Sequence, residues 1–239
     1  MVAIPKIQDP TLAAMREAME RKNVAERKAR SYLGASLLGQ SCSRRIWYSI
    51  NDYPSEPINS IGLMAIQDGF TSESVLAERL RLVPGIELWT HGEDGEQIGY
   101  SDGRQSGHVD GVILGLLQAP KTPHVWESKA CNEKKFKLFQ KAKEEHGEKQ
   151  ALAKWDTVYF AQAQLYMHHL ELTRHYLTVC TPGARDVDSC RTEYNKDVAE
   201  GLISKGNRII SAKGPPERIG GRDWYECRYC PFREVCHGN

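Results

Sequence analysis

Apolar positions along this chain repeat with helical spacing near its two ends and with strand-like spacing in its middle. After Asp9-Pro10, Leu12, Met15 and Met19 recur among many charges, predicting an amphipathic, largely solvated helix in the first thirty residues. Ser41-Cys42-Ser43-Arg44-Arg45 then leads into a short aromatic segment, and Pro54 and Pro57 punctuate the loop that follows. A second helix is predicted over 67–83. From 86 to 130 the pattern becomes short β-type runs around 98–100, 108–114 and 124–130, separated by Gly and Pro. Asn132 suits an N-cap, and 132–145 and 149–170 read as helices. A strand over 174–180 and a helix over 197–211, stopped at Gly214-Pro215-Pro216, complete the order. The fold class is therefore α/β, a small mixed sheet flanked by helices. No internal repeat or low-complexity segment interrupts it.

Composition narrows the picture. A chain of 239 residues, 40% hydrophobic, suffices for one compact core, so the expectation is a single domain: an N-terminal helical region 1–66, a core 67–212 and a cysteine-rich tail 213–239. With 32 basic and 31 acidic side chains the net charge is +1, so any contact with nucleic acid must come from local patches rather than a global field. No apolar run approaches the roughly 18 residues of a membrane span, and residues 1–22 lack a signal-peptide core. A cytoplasmic protein without a membrane partner is expected. Seven cysteines without a secretory signal fit thiol or metal chemistry better than a disulfide framework.

In Val125-Trp126-Glu127-Ser128-Lys129, Glu127 and Lys129 lie two apart on a predicted strand and point to one face. A turn with Pro120 and Pro123 precedes them, so a hairpin would bring Asp110 beside Glu127. Two carboxylates and an ammonium suit phosphodiester hydrolysis, which needs hard oxygen ligands for a divalent ion and a group that orients water. A surface ion pair would show the same short pattern. On the helix over 67–83, Glu73 shares a stripe with Leu76, Ala77 and Leu80, so this carboxylate needs a partner. Gln162 and Tyr166, four apart on another helix, can both donate hydrogen bonds to a phosphate. Lys134, Lys135, Lys137, Lys141 and Lys143 could grip a backbone with Phe136 and Phe139 in reach of bases, although a solvated helix face with its phenylalanines in the core is the safer reading.

Cys227-Arg228-Tyr229-Cys230 and Cys236 put three thiols in ten residues, with Cys42 as a remote fourth. That spacing allows either zinc or an iron-sulfur cluster. Cys131, Cys180 and Cys190 have no such grouping and are assigned to packing.

Together these segments resemble the RecB-like branch of the PD-(D/E)XK nucleases, and within it the iron-sulfur members: CRISPR-associated adaptation exonucleases, the AddB nuclease part and related phage exonucleases. The order of motifs carries the resemblance over roughly residues 40–238: Cys42, Glu73, Asp110, Glu127 with Lys129, Gln162 with Tyr166, then the three-cysteine tail. It implies a DNA exonuclease acting on single-stranded or duplex ends. Asp110, Glu127 and the Ser128 carbonyl would bind Mg2+ or Mn2+, Glu73 would assist, Lys129 would position water, and Gln162 and Tyr166 would hold the strand. Cys42, Cys227, Cys230 and Cys236 would ligate a [4Fe-4S] cluster that staples the two ends of the chain. Many relatives carry a histidine ligand just before the acidic helix residue, where this chain has Ser72, and His108 is a candidate substitute on the strand face of Asp110. The resemblance further implies a bacterial or phage-infected setting, with a homo-oligomer or a recombination or CRISPR-adaptation protein as partner. Two rival readings remain: a DNA-binding or assembly module with weak nuclease activity, and a zinc-stabilised structural protein.

Overall fold

The computed structural model describes residues 9–28 and 31–238; the outer residues of the predicted N-terminal helical stretch, 1–8 and 29–30, lie outside them. In chain order the elements are α1 (Pro10–Glu26), β1 (Leu33–Gly34), α2 (Ala35–Leu38), α3 (Ser43–Ile50), α4 (Ser60–Arg81), β2 (Glu87–Trp89), β3 (Gly99–Asp102), β4 (Gln105–His108), β5 (Gly111–Leu114) and β6 (His124–Ala130). There follow α5 (Glu133–His146), α6 (Glu148–Trp155), α7 (Thr157–His169), β7 (Arg174–Cys180), β8 (Val187–Glu193), α8 (Lys196–Ser211), α9 (Tyr225–Arg228) and α10 (Arg233–His237).

The mixed α/β architecture is as expected, but there are two mixed sheets where the sequence predicts one. The larger has the order β2-β5-β6-β7-β8, with β6 and β7 parallel and the other pairs antiparallel. The smaller has the order β1-β4-β3. The predicted strand over 108–114 is in fact two strands, β4 and β5, one in each sheet. Val109, fully buried, is the step between them: its N–H donates to the Ile98 carbonyl at 2.9 Å, while Gly111 pairs opposite Trp126.

β6 is buried over its first five residues because both faces of the larger sheet are covered. On one side α4 packs Leu76 and Ala77 against Leu88, Ile113 and Trp126. On the other, Val125, Leu177 and Val179 meet Phe139, Leu152 and Leu165 from the crossover helices. Parallel β6 and β7 cannot be joined by a tight turn, and α5, α6 and α7 make the crossover.

Helix boundaries follow local chemistry. α4 begins seven residues before its predicted start because Asn59 caps it, its Oδ1 accepting from the Gly62 N–H at 2.9 Å. The predicted helix over 149–170 is broken at Asp156, whose Oδ1 accepts from the N–H groups of Val158 and Tyr159 and so starts α7. Asn132 caps α5 as predicted, through the Lys135 N–H, and Gly147, at φ +77°, ends it. α1 buries none of its residues; Leu12 and Met15 stay exposed. Phe136 and Phe139 are both in the core, which excludes the expectation that they reach bases. Among the described residues no helix is long and apolar enough to cross a membrane.

Candidate active site and cysteine pocket

The β5–β6 pair brings Asp110 and Glu127 together, as the hairpin reading predicts. The Asp110 N–H donates to Glu127 Oε1 at 3.3 Å, and the Ser128 N–H donates to Asp110 Oδ2 at 2.7 Å. Lys129 Nζ lies 2.5 Å from Glu127 Oε2 and 3.9 Å from Asp110 Oδ2. Gly111 makes this crossing feasible, because a Cβ there would come within 2.7 Å of the Trp89 carbonyl oxygen.

Electrostatics follow from burial. Glu127 is only 2% exposed; burial and the Asp110 charge push its carboxyl above the usual range despite the pull of Lys129. For Lys129, burial opposes the charge, but Glu127 and Asp110 outweigh it and hold the ammonium firmly protonated. Glu73, partly buried on α4, is pushed up to about 7 by burial and then by Asp110, with Lys129 opposing. Glu73 therefore joins the group from the opposite side of the sheet.

The structure places two further candidate positions. Ser72 is 1% exposed and faces Cys180, so the α4 residue turned to the site is Glu73. One residue is 100° of helix, enough to separate core from site. His108 is exposed at the end of β4 in the smaller sheet, beside Gly99, because residues 108 and 110 do not share a strand.

α7 closes the site. Gln162 Nε2 donates to the Tyr166 hydroxyl oxygen at 2.9 Å, both residues being buried. Burial and Glu127 raise the Tyr166 phenol, which keeps its proton as a donor. Sequence reasoning missed Tyr159 on this same face, three residues before Gln162 and seven before Tyr166; that spacing was the available signal. Lys129 Nζ stands 5.5 Å from the Tyr159 ring centroid.

Among the described residues, no three imidazole, thiol or carboxylate groups stand close enough together to hold a single metal ion. The carboxylates are instead turned to Lys129 and to backbone N–H groups. The donor set is nonetheless the kind a divalent cation takes: three carboxylates, Glu73, Asp110 and Glu127, feel one ammonium, and burial followed by the Asp110 charge raises both Glu73 and Glu127.

Cys42, Cys227, Cys230 and Cys236 line one small pocket. Cys42 caps α3, its Sγ accepting from the Arg45 N–H at 3.4 Å. Burial raises the Cys227 thiol, and so do the three other cysteines. Direct contacts join the two segments beside this pocket. Ser41 bonds Glu226, Arg44 donates to the Pro216 carbonyl at 2.9 Å, and the Glu56 N–H donates to the Pro231 carbonyl at 2.8 Å. Cys180 and Cys190 are fully buried elsewhere, in keeping with a packing role, while Cys131 is partly buried.

No protein-family model and no curated protein matches the chain. Among solved structures, an alkaline exonuclease from Laribacter hongkongensis aligns with a TM-score of 0.52 and 13% identity, over 80% of this chain and 91% of its own. The same exonuclease in complex with dAMP aligns at 0.52 and 12%, over 77% and 88%. A phage related exonuclease from Haemophilus somnus is more distant, at 0.40 and 14% over 62% and 67%. The chain shares the fold of this alkaline exonuclease.

Proposed function

We propose that this chain is a divalent-metal-dependent DNA exonuclease acting on single-stranded ends. The observation that carries the reading is the meeting of Glu73, Asp110, Glu127 and Lys129 at the crossing of two sheets, in a fold shared with an exonuclease. Asp110, Glu127 and the Ser128 carbonyl, with Glu73, would hold Mg2+ or Mn2+. When bound, such an ion supplies a Lewis acid for the phosphate and eases deprotonation of the attacking water. The residues themselves do the rest. Lys129, held charged, orients the water and offsets negative charge gathering on the phosphate. Gln162 and Tyr166 donate to the non-bridging oxygens and fix the strand in line.

The four pocket cysteines would ligate a [4Fe-4S] cluster with a structural role. Their convergence on one cavity supports this, since four thiols from opposite ends of the chain suit a cofactor better than apolar packing. A role in recombination or CRISPR adaptation belongs to the same proposal.

The test is digestion of end-labelled single- and double-stranded DNA by anaerobically purified protein with Mg2+, Mn2+ or EDTA, beside Asp110→Ala. Metal-dependent cutting lost in the variant is expected. No cutting by cluster-loaded protein overturns the reading.

A further inference from the structure

Beyond Tyr166 and Gln162, the same face of α7 runs on to Tyr159 and ends at a second fixed cation, Lys135 of α5. Lys135 Nζ lies 2.8 Å from Asp156 Oδ2, 4.6 Å from the Tyr159 ring centroid and 5.0 Å from that of Trp155. The Tyr159 ring is thus flanked by two ammonium groups, that of the active-site Lys129 and that of Lys135. An ammonium has three donor hydrogens. Asp156 Oδ2 takes one of those of Lys135; among the described residues the other close neighbours of the ammonium are aromatic faces, which accept only weakly. Asp156 Oδ1 is already committed to capping α7, so this carboxylate holds Lys135 in place without moving with it. The Lys135 side chain is 37% exposed, open enough to meet a ligand. Of the other α5 lysines, Lys137, Lys141 and Lys143 are paired with Glu133, Glu145 and Asp188.

Resting on the nuclease reading, we propose that Lys135, seated on Tyr159 and Trp155, binds the DNA phosphate next to the scissile one. The helix rises about 1.5 Å per residue, so the seven residues from Tyr166 to Tyr159 span roughly 10 Å, too far for one phosphate to meet both ends and close enough for side chains there to reach neighbouring phosphates of one strand. Lys135 would be a positioning residue: it fixes register before cleavage without touching the reacting atoms.

The experiment measures binding of a single-stranded oligonucleotide in EDTA across a salt series, for wild type, Lys135→Met and Lys135→Arg. The Met variant keeps the stem on Trp155 and removes the charge. Its plot of log affinity against log salt is expected to flatten by about 0.7, one phosphate contact on a single strand, with the Arg variant unchanged. A second series replaces single phosphates by methylphosphonate in the wild-type complex, which needs no variant to fold. One position adjacent to the scissile phosphate should weaken wild type and leave Lys135→Met unaffected. Equal slopes, or no position at which the two effects coincide, overturn the proposal. If wild type binds no DNA at any salt, the nuclease reading fails and this inference falls with it.

Discussion

Asp110 and Ser128 are tied across the β5–β6 pair by a 2.7 Å hydrogen bond in which the Ser128 N–H donates to Asp110 Oδ2. The Asp110 carboxylate is thereby aimed by backbone, so its direction is as rigid as the sheet. Asp110→Asn keeps an oxygen for that N–H while removing the charge that raises Glu73 and Glu127. Cleavage should fall by ~10²-fold or more while the melting temperature of the metal-free protein holds or rises. Single-turnover cleavage and a thermal melt check the two halves.

Lys129→Ala should lose ~10²- to 10⁴-fold in cleavage and still bind DNA, because the water-orienting group goes and the carboxylates remain. Unchanged cleavage in this variant would sink the proposed active site.

The raised Glu73 carboxyl makes stability depend on pH. Its folded value of about 7 lies above the ordinary glutamate value of 4.5, so the folded state binds a proton that the unfolded chain has released between these limits. Glu73 therefore favours folding most at pH below 4.5, and this contribution is lost as pH rises to about 7. Melting curves of metal-free protein between pH 5 and 8 should show this decline, Glu73→Gln should flatten it, and Mg2+ should restore more stability at pH 8 than at pH 5.

Phe139 is fully buried with its ring 5.1 Å from Trp155. Phe139→Ala should cost ~3–5 kcal/mol in urea unfolding, the range for a large aromatic lost from a core. A loss under 1 kcal/mol would contradict that placement.

Anaerobically purified wild type should be brown, with visible absorption that Cys227→Ser removes and Cys190→Ser leaves. A colourless protein holding stoichiometric zinc would transfer the pocket to the other metal, since zinc has a filled d shell.

Much of the site was legible because its spacing is short-range. Glu127 and Lys129 follow the period of two of a strand, Gln162 and Tyr166 the helical period of four, and Glu73 stands where an apolar stripe turns polar. The split between β4 and β5 was not legible, because His108 to Leu114 reads as one continuous run and only the pairing of Val109 with Ile98 shows where one sheet ends. β8 was missed for a different reason. As an edge strand it buries only Cys190 and Thr192, so its sequence looks like a polar loop. Lys135 was hidden among its neighbouring lysines; what distinguishes it is Asp156, twenty-one residues away.

The meeting of residue 41 with residue 226 also sets an order of events in biosynthesis. The two are 185 positions apart, so at about 5–20 residues per second the ribosome needs roughly ten to forty seconds to supply the second after the first. All residues of the carboxylate group are synthesised inside that interval. Cys42 meanwhile waits without the other three thiols of its pocket, so any cofactor there is a late addition to a chain whose carboxylate group has already been made.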